Sequence, residues 1–318
     1  MSRSERPPDG PSLFRESTDS ERRYIVAGAA VFAPRLPGGL YVVATPIGNL
    51  RDVTLRALEV LAAADLVACE DTRVTPKLLR QYGIETRLQP YHDHNAATVR
   101  PKLLRRLAEG ASVALVSDAG TPLISDPGYK LVRAAQDAGH PVISIPGPSA
   151  VLAALTTAGL ATDRFLFDGY LPAKPAQRRA RLNELARTPA TLVWFETGPR
   201  LAAALADLAA ALGARPAAIC RELTKLHEEI RRGDLAALAR ETATAAPPAG
   251  EIVLVVAPPA SGAPAPSEQD VEALLREALA RGSIKDAVAE VSAVTGQPRR
   301  DVYRRALALR EADHAPPD

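Results

Sequence analysis

Cysteine is nearly absent from this chain of 318 residues, which has only Cys69 and Cys220. They lie far apart, each beside an apolar run, and no Cys-x-x-Cys pair exists. A zinc ribbon and a dithiol redox motif are therefore excluded, and two buried thiols in a reducing cytoplasm are expected. No apolar run approaches the ~20 residues of a membrane-spanning helix. Charge of one sign is not in excess either: 39 basic against 37 acidic residues leave +2. That total neither requires nor forbids a nucleic-acid partner, so local clusters must decide. The chain also lacks Gly-x-x-x-x-Gly-Lys and Gly-x-Gly-x-x-Gly, which excludes a phosphate cradled on a P-loop and the usual dinucleotide fingerprint. No fixed-period repeat is present.

With 47% hydrophobic and 24% charged residues, the composition is that of an ordinary soluble protein, long enough for about two domains. "RRYIVAGAAVFA" (22–33) mimics a secretory signal, but it follows a long polar stretch and its apolar part is short. Residues 1–38 are accordingly expected to be a disordered extension, within which this segment could pack as a strand.

From Leu40 the pattern is regular. Strand runs at 40–45, 65–70, 87–91, 112–117 and 141–145 alternate with helical spacing at 54–64, 75–82, 96–109 and 127–138. Such alternation predicts a parallel sheet with helices on both faces. A second block has strand runs at 164–170, 190–196, 216–222 and 250–256, a helix over 199–212 and a hairpin-like stretch near 226–232. The Pro/Gly-rich "APPASGAPAPSE" (257–268) breaks the periodicity, and two or three short helices follow to residue 310. The expected division is thus 39–148 and 149–258 as α/β domains, 259–267 as linker and 268–318 as helical tail.

Ligands of open parallel sheets bind at the carboxyl ends of the strands. All five exits of the first block carry small or hydrogen-bonding residues: "TPIGNLRD", "EDTRVT", "HDHN", "SDAGTPLISDPG" and "PGPSA". Carboxylates dominate (Glu70, Asp71, Asp118, Asp126), which suits a ligand with a ribose diol or a positive charge. Asp118, Asp126 and Ser149 could instead cap helices. His92 and His94 have no third well-placed ligand, so no metal is expected.

Together, "LYVVATPIGNLRDVTLRALEVLAAADLVACEDTR", "YHDHN", "ALVSDAGTPLISDPG", "PGPSA", "LPAK…RR", "RELTKLHEE" and "GEIVLVV" strongly resemble the small-subunit ribosomal RNA methyltransferase I family of the tetrapyrrole-methylase superfamily. The likeness runs from about Leu40 to Val256 and continues more weakly in the tail. It implies two α/β/α domains, the first with a parallel five-stranded sheet and the second with a mixed one, and S-adenosylmethionine in the cleft between them. It also implies methylation of a cytidine ribose 2′-oxygen in the decoding centre of small-subunit (16S) ribosomal RNA, by a cytoplasmic homodimer. Donor contacts carried over on matching residues are Pro46, Ile47, Gly48, Asn49, Asp118, Gly120, Thr121, Ser149 and Ala150; Glu70 and Asp71 stand at the edge by strand position.

Transfer to a 2′-hydroxyl needs alignment and a group to take the proton or stabilise the alkoxide. Lys174, Glu196 and Glu222 are open alternatives for that role. Lys174, Arg178, Arg179, Arg221, Lys225 and His227 follow second-block strands and are expected to contact RNA. The tail "SIKDAVAEVSAVTGQPRRDVYRRALALR" (283–310) resembles a helix-turn-helix, with Arg299, Arg300, Arg304 and Arg305 on its second helix. A porphyrinoid methyltransferase and a non-catalytic assembly factor are the competing readings.

Overall fold

The computed structural model describes residues 22–259, 268–295 and 297–313. The described chain starts with a hairpin, β1 (Arg23–Val26) and β2 (Ala29–Phe32), turned by Ala27 and Gly28, both at positive φ, as a two-residue hairpin requires. This corrects the expected extension: from residue 22 the chain is folded. Tyr24, Ala33 and Leu36 are buried in the first domain's core, and the Ile25 amide donates to the Tyr82 carbonyl at 2.7 Å. Arg22 reaches Asp65 at 2.7 Å and the Ala63 carbonyl. Residues 1–21 of the expected extension lie outside the described residues.

The first domain alternates β3 (Gly39–Val43), α1 (Leu55–Ala63), β4 (Leu66–Cys69), α2 (Thr75–Gln81), β5 (Leu88–Pro90), α3 (Ala96–Ala108), β6 (Ser112–Val116), α4 (Tyr129–Asp137) and β7 (Val142–Ile145). Its sheet is wholly parallel, ordered β5-β4-β6-β3-β7. The central strands are apolar on both faces because both are covered. Leu40, Val113 and Leu115 meet α3 and α4, while Tyr41, Val43 and Ala114 meet α1, α2 and the hairpin.

Helix α5 (Ala150–Ala158) crosses to the second domain, where β8 (Phe165–Tyr170), α6 (Pro175–Leu185), β9 (Thr191–Thr197), α7 (Gly198–Leu212), β10 (Pro216–Arg221), β11 (Glu229–Asp234), α8 (Leu235–Thr244) and β12 (Glu251–Val256) follow. This sheet, ordered β11-β10-β12-β9-β8, is mixed: only β8 and β9 run parallel. Alternation along β9 puts Leu192 and Trp194 against α6, α7 and α8, and Val193 and Phe195 against α5. Nothing in the sequence signals α5 or α8 as strongly as it signals α7. Helix α5, "AVLAALTTA", carries no charge and so lacks the polar stripe that makes helical spacing visible.

In the tail, α9 (Glu268–Arg281), α10 (Ile284–Thr295) and α11 (Arg299–Asp313) bury Val271, Leu275, Val291, Val302 and Leu309 in a cluster of their own. Among the described residues no helix is long and apolar enough to cross a membrane.

Candidate active site

Three strand exits of the first sheet are tied together. Thr45 and Gly120 exchange backbone hydrogen bonds, at 2.9 and 3.0 Å, and the Thr121 hydroxyl donates to the Pro148 carbonyl at 3.1 Å. Gly120 sits at φ +80°, a conformation glycine adopts without a Cβ penalty. Facing them is the second sheet, and between the two lies a cleft of about 290 Å³. Ile47, Asp118, Gly120, Thr121, Ser149 and Ala150 line one wall; Phe195, Cys220, Leu223, Ile252 and Val253 line the other.

The loop after β10 straps the two domains together. The Asn49 amide donates to the Thr224 hydroxyl at 3.2 Å. The methylenes of Lys225 lie over Gly48 so closely that a Cβ there would stand 2.4 Å from Lys225 Cγ. The Lys225 ammonium reaches Glu222 at 2.7 Å and Glu251 at 2.8 Å. On its far side this strap borders a second cavity of about 500 Å³, lined by Thr45, Pro46, Gly48, Thr75, Lys77 and Ser117. Ile47, Asp118, Ala119, Lys225 and Glu251 border both cavities.

The cleft is electrostatically unbalanced. Burial, then the neighbouring charge of Asp118, pushes the Asp126 carboxyl up to about 6 despite the nearby Ser117 hydroxyl, which lowers it. Burial also raises Glu70, with Asp126, Asp118 and Asp93 adding to it. Asp118 is raised by burial first and by Asp71 next, against the amide of Asp71, which donates to its Oδ1 at 3.0 Å. Asp71 itself turns away to Arg73, which holds its carboxyl down at about 2. Carboxylates crowded in low dielectric favour an arriving cation or hydroxyl donors.

The three proton-handling candidates part company here. Lys174 stands at the N-cap of α6, on the exposed surface. Glu222 is spent: Lys225 and the Glu251 amide hold its Oε1 at 2.7 and 2.9 Å, and its carboxyl is lowered, first by the Lys225 hydrogen bond. Glu196 contributes to the cleft lining, but it shares the strand face of Leu192 and Trp194. Its wholly buried carboxyl accepts from the Thr197 amide at 2.8 Å and meets Arg200 of α7 at 3.1 Å.

The expected RNA cations separate too. Arg178 is a correction: its side chain, 6% exposed, pairs with Asp207 of α7 at 2.7 Å, so it is unavailable to phosphate. Arg179 stays 56% exposed, 3.7 Å from the same carboxylate. Arg221 pairs with Glu229 at 3.0 Å, and His227 is exposed on the loop tip beside Leu226, 93% exposed. We expect Arg178→Ala to destabilise the fold by about 2–4 kcal/mol, since it strands a partly buried aspartate, with RNA affinity unchanged. Denaturant unfolding and RNA titration of the same variant test this; weaker RNA binding at unchanged stability would return Arg178 to the surface role.

Glu251 and Tyr170 also line the cleft but were not expected there. Glu251 opens β12, which runs antiparallel and pairs it with Thr197 at the end of β9. Attention to strand exits alone passes over such a residue; the reversal of one strand is the signal.

The model of the Tetrapyrrole (Corrin/Porphyrin) Methylases matches residues 39–239, and that of the RsmI C-terminal HTH domain matches residues 265–310. A ribosomal RNA small subunit methyltransferase I of Mesorhizobium japonicum is 52% identical over 90% of this chain and 97% of its own length. The Escherichia coli O157:H7 protein of the same name is 45% identical over 85% and 95%. Among solved structures, uroporphyrin-III-C-methyltransferase of Thermus thermophilus superposes with TM-score 0.51 at 24% identity, over 69% of this chain and 94% of its own. Diphthine synthase gives 0.52 at 18%, over 69% and 89%. These last two establish the fold. The long matches at high identity settle the rest: the chain belongs to the ribosomal RNA small subunit methyltransferase I family of the tetrapyrrole methylases.

Proposed function

We propose that this chain transfers a methyl group from S-adenosylmethionine to the ribose 2′-oxygen of a cytidine in the decoding centre of small-subunit ribosomal RNA. S-adenosylmethionine-dependent methylation of that RNA is the activity of the family; the nucleotide and the oxygen are our reading. The observation that carries the reading is the carboxylate-rich cleft at the exits of the parallel sheet.

The cleft suits the donor. Asp118 and Glu70 can accept hydrogen bonds from a ribose diol or an ammonium, and their raised carboxyls relax when positive charge arrives. Ile47, Leu223, Ile252 and Val253 offer apolar surface to a base. Helix α5 begins at Ser149 without a side-chain cap, which leaves its first amides open to a carboxylate. The donor supplies an electrophilic methyl on a positively charged sulfur. The protein aligns the acceptor oxygen, excludes water and removes the proton, and alignment alone can contribute about 7–11 kcal/mol.

The exposed cations suit RNA. Lys174 and Arg179 flank the start of α6, and Arg299, Arg300 and Arg304 lie exposed along α11 with Tyr303 between them. Truncation after Pro259 removes the last group. Because the tail buries its own core, the shortened chain should stay soluble and bind donor normally. Its methylation of the small subunit should fall at least tenfold, in line with the loss of several phosphate contacts. Mapping 2′-O-methylation in subunits treated with full-length and shortened chains tests both claims. A methyl group on a base, or on another nucleotide, would overturn the proposed position; full activity without the tail would make the tail an appendage.

A further inference from the structure

Among the described residues, five that are not glycine adopt positive φ. One, Ala27, turns the N-terminal hairpin. The other four lie in two loops that contribute to the cleft lining: Leu123 (+75°) and Ser125 (+61°) in one, Glu222 (+51°) and Thr224 (+66°) in the other. Such conformations cost on the order of 1 kcal/mol each and persist where the surroundings enforce them. The second pair shapes the strap that carries Lys225. The first pair lies in the long loop after β6 and immediately precedes Asp126.

Asp126 stands three residues before Tyr129, the first residue of α4, near where an aspartate would cap. It does not cap: the N-cap is Gly128, and no side chain bonds the first turn. Its carboxyl lies in the cleft instead. Around it stand the Ser117 hydroxyl and Asp118 from the exit of β6, Glu70 from the exit of β4 and Tyr170 from β8. Across the cleft, Lys225 is engaged by Glu222 and Glu251, and Glu196 is held through Oε1 by the Thr197 amide and Arg200, on the strand face of Leu192 and Trp194. Asp118 holds the Asp71 amide. Among the described residues, Asp126 is thus a cleft carboxylate with no cation to neutralise it and no backbone amide to hold, on a loop bent to place it there.

We propose that Asp126 is the group that takes the proton from the acceptor hydroxyl during methyl transfer. The inference rests on the reading of the cleft as a methyl-transfer site. In the step, the acceptor O–H bond breaks and its proton goes to the Asp126 carboxylate. The oxygen electron pair forms the new O–CH3 bond, the methyl–sulfur bond breaks, and its pair stays on sulfur, which becomes a neutral thioether. Charge balances: one carboxylate and one sulfonium become one carboxylic acid and one thioether. The proton leaves to water when product departs.

A carboxyl held near 6 is charged at neutral pH yet basic enough to take part. Because only the carboxylate accepts a proton, kcat should rise along an acid limb and then level, with the midpoint below the donor-free value of about 6 because the sulfonium favours the charged carboxylate. The test compares the wild-type chain with Asp126→Asn and Asp126→Glu, using isolated small subunits and saturating S-adenosylmethionine. Asp126→Asn should lower kcat by ~100-fold or more and abolish the acid limb, with donor affinity by calorimetry within threefold of wild type. Asp126→Glu should restore part of kcat and keep an acid limb. Carbon-13 NMR of the donor-free protein should show a carboxyl titrating near 6 that is missing from Asp126→Asn. The proposal is overturned if Asp126→Asn keeps kcat within threefold, or if its acid limb persists. It is overturned equally if that variant loses donor affinity tenfold while kcat at saturation is unchanged, which would make Asp126 a donor contact. A wild-type chain that binds donor yet methylates no subunit would sink the functional reading itself, a result distinct from a defect confined to the variants.

Discussion

Asp118→Ala is expected to weaken S-adenosylmethionine binding at least tenfold while leaving the chain folded. Asp118 borders both cavities and receives the Asp71 amide at 3.0 Å, so it fixes the exit of β4 against that of β6. Losing a charge-assisted hydrogen bond costs about 1.5–3 kcal/mol, or roughly 10- to 150-fold in affinity. One effect opposes this. Without Asp118, burial of charge at Asp126 and Glu70 becomes easier, because Asp118 is among the causes that raise both. Their compensation is indirect, and the direct loss should win. Asp118→Asn separates the parts: it keeps an acceptor for the Asp71 amide and removes only the charge, so its affinity should fall between wild type and alanine. Unchanged affinity of the alanine variant by calorimetry would remove Asp118 from the donor site.

A loss of stability is also expected from Gly198→Ala. On an exposed helix this exchange would stabilise by up to about 1 kcal/mol, since alanine is the better helix former. Gly198 opens α7 and is buried, and a Cβ there would lie 1.6 Å from the Pro248 carbonyl oxygen. The obstacle is backbone on both sides, so either the first turn of α7 or the segment leading into β12 must move. Overpacking of this kind costs about 1–3 kcal/mol or more, which outweighs the helical preference. Both displaced segments adjoin the cleft, through Phe195 and Glu196 on one side and Glu251 and Ile252 on the other. Donor affinity should therefore fall together with the denaturation midpoint. A midpoint equal to or above wild type would show that the site has room.

What could be read beforehand follows from what local sequence can encode. The parallel sheet was legible because β3, β4 and β6 are buried on both faces and so appear as unbroken apolar runs between helical segments. One wall of the cleft was legible for the same reason, since strand exits follow once the strands are known. Legibility failed where a partner distant in the chain decides. Arg178 reads as a surface cation until α7 brings Asp207 to it, 29 residues later. The hairpin at 23–32 reads as a mimic of a targeting signal until α1 offers Tyr24 a place to pack. Asp126 reads as a helix cap until the left-handed residues before it redirect the loop.

The strap carrying Lys225 has a thermodynamic consequence. One side chain from the second domain, resting on Gly48 of the first, forms part of the wall of two cavities at once. Any displacement of that wall on filling one cavity changes the shape and field of the other. Ligands that fill both cavities would therefore be linked, and linkage is reciprocal: whatever factor the first applies to the affinity of the second, the second applies to the affinity of the first.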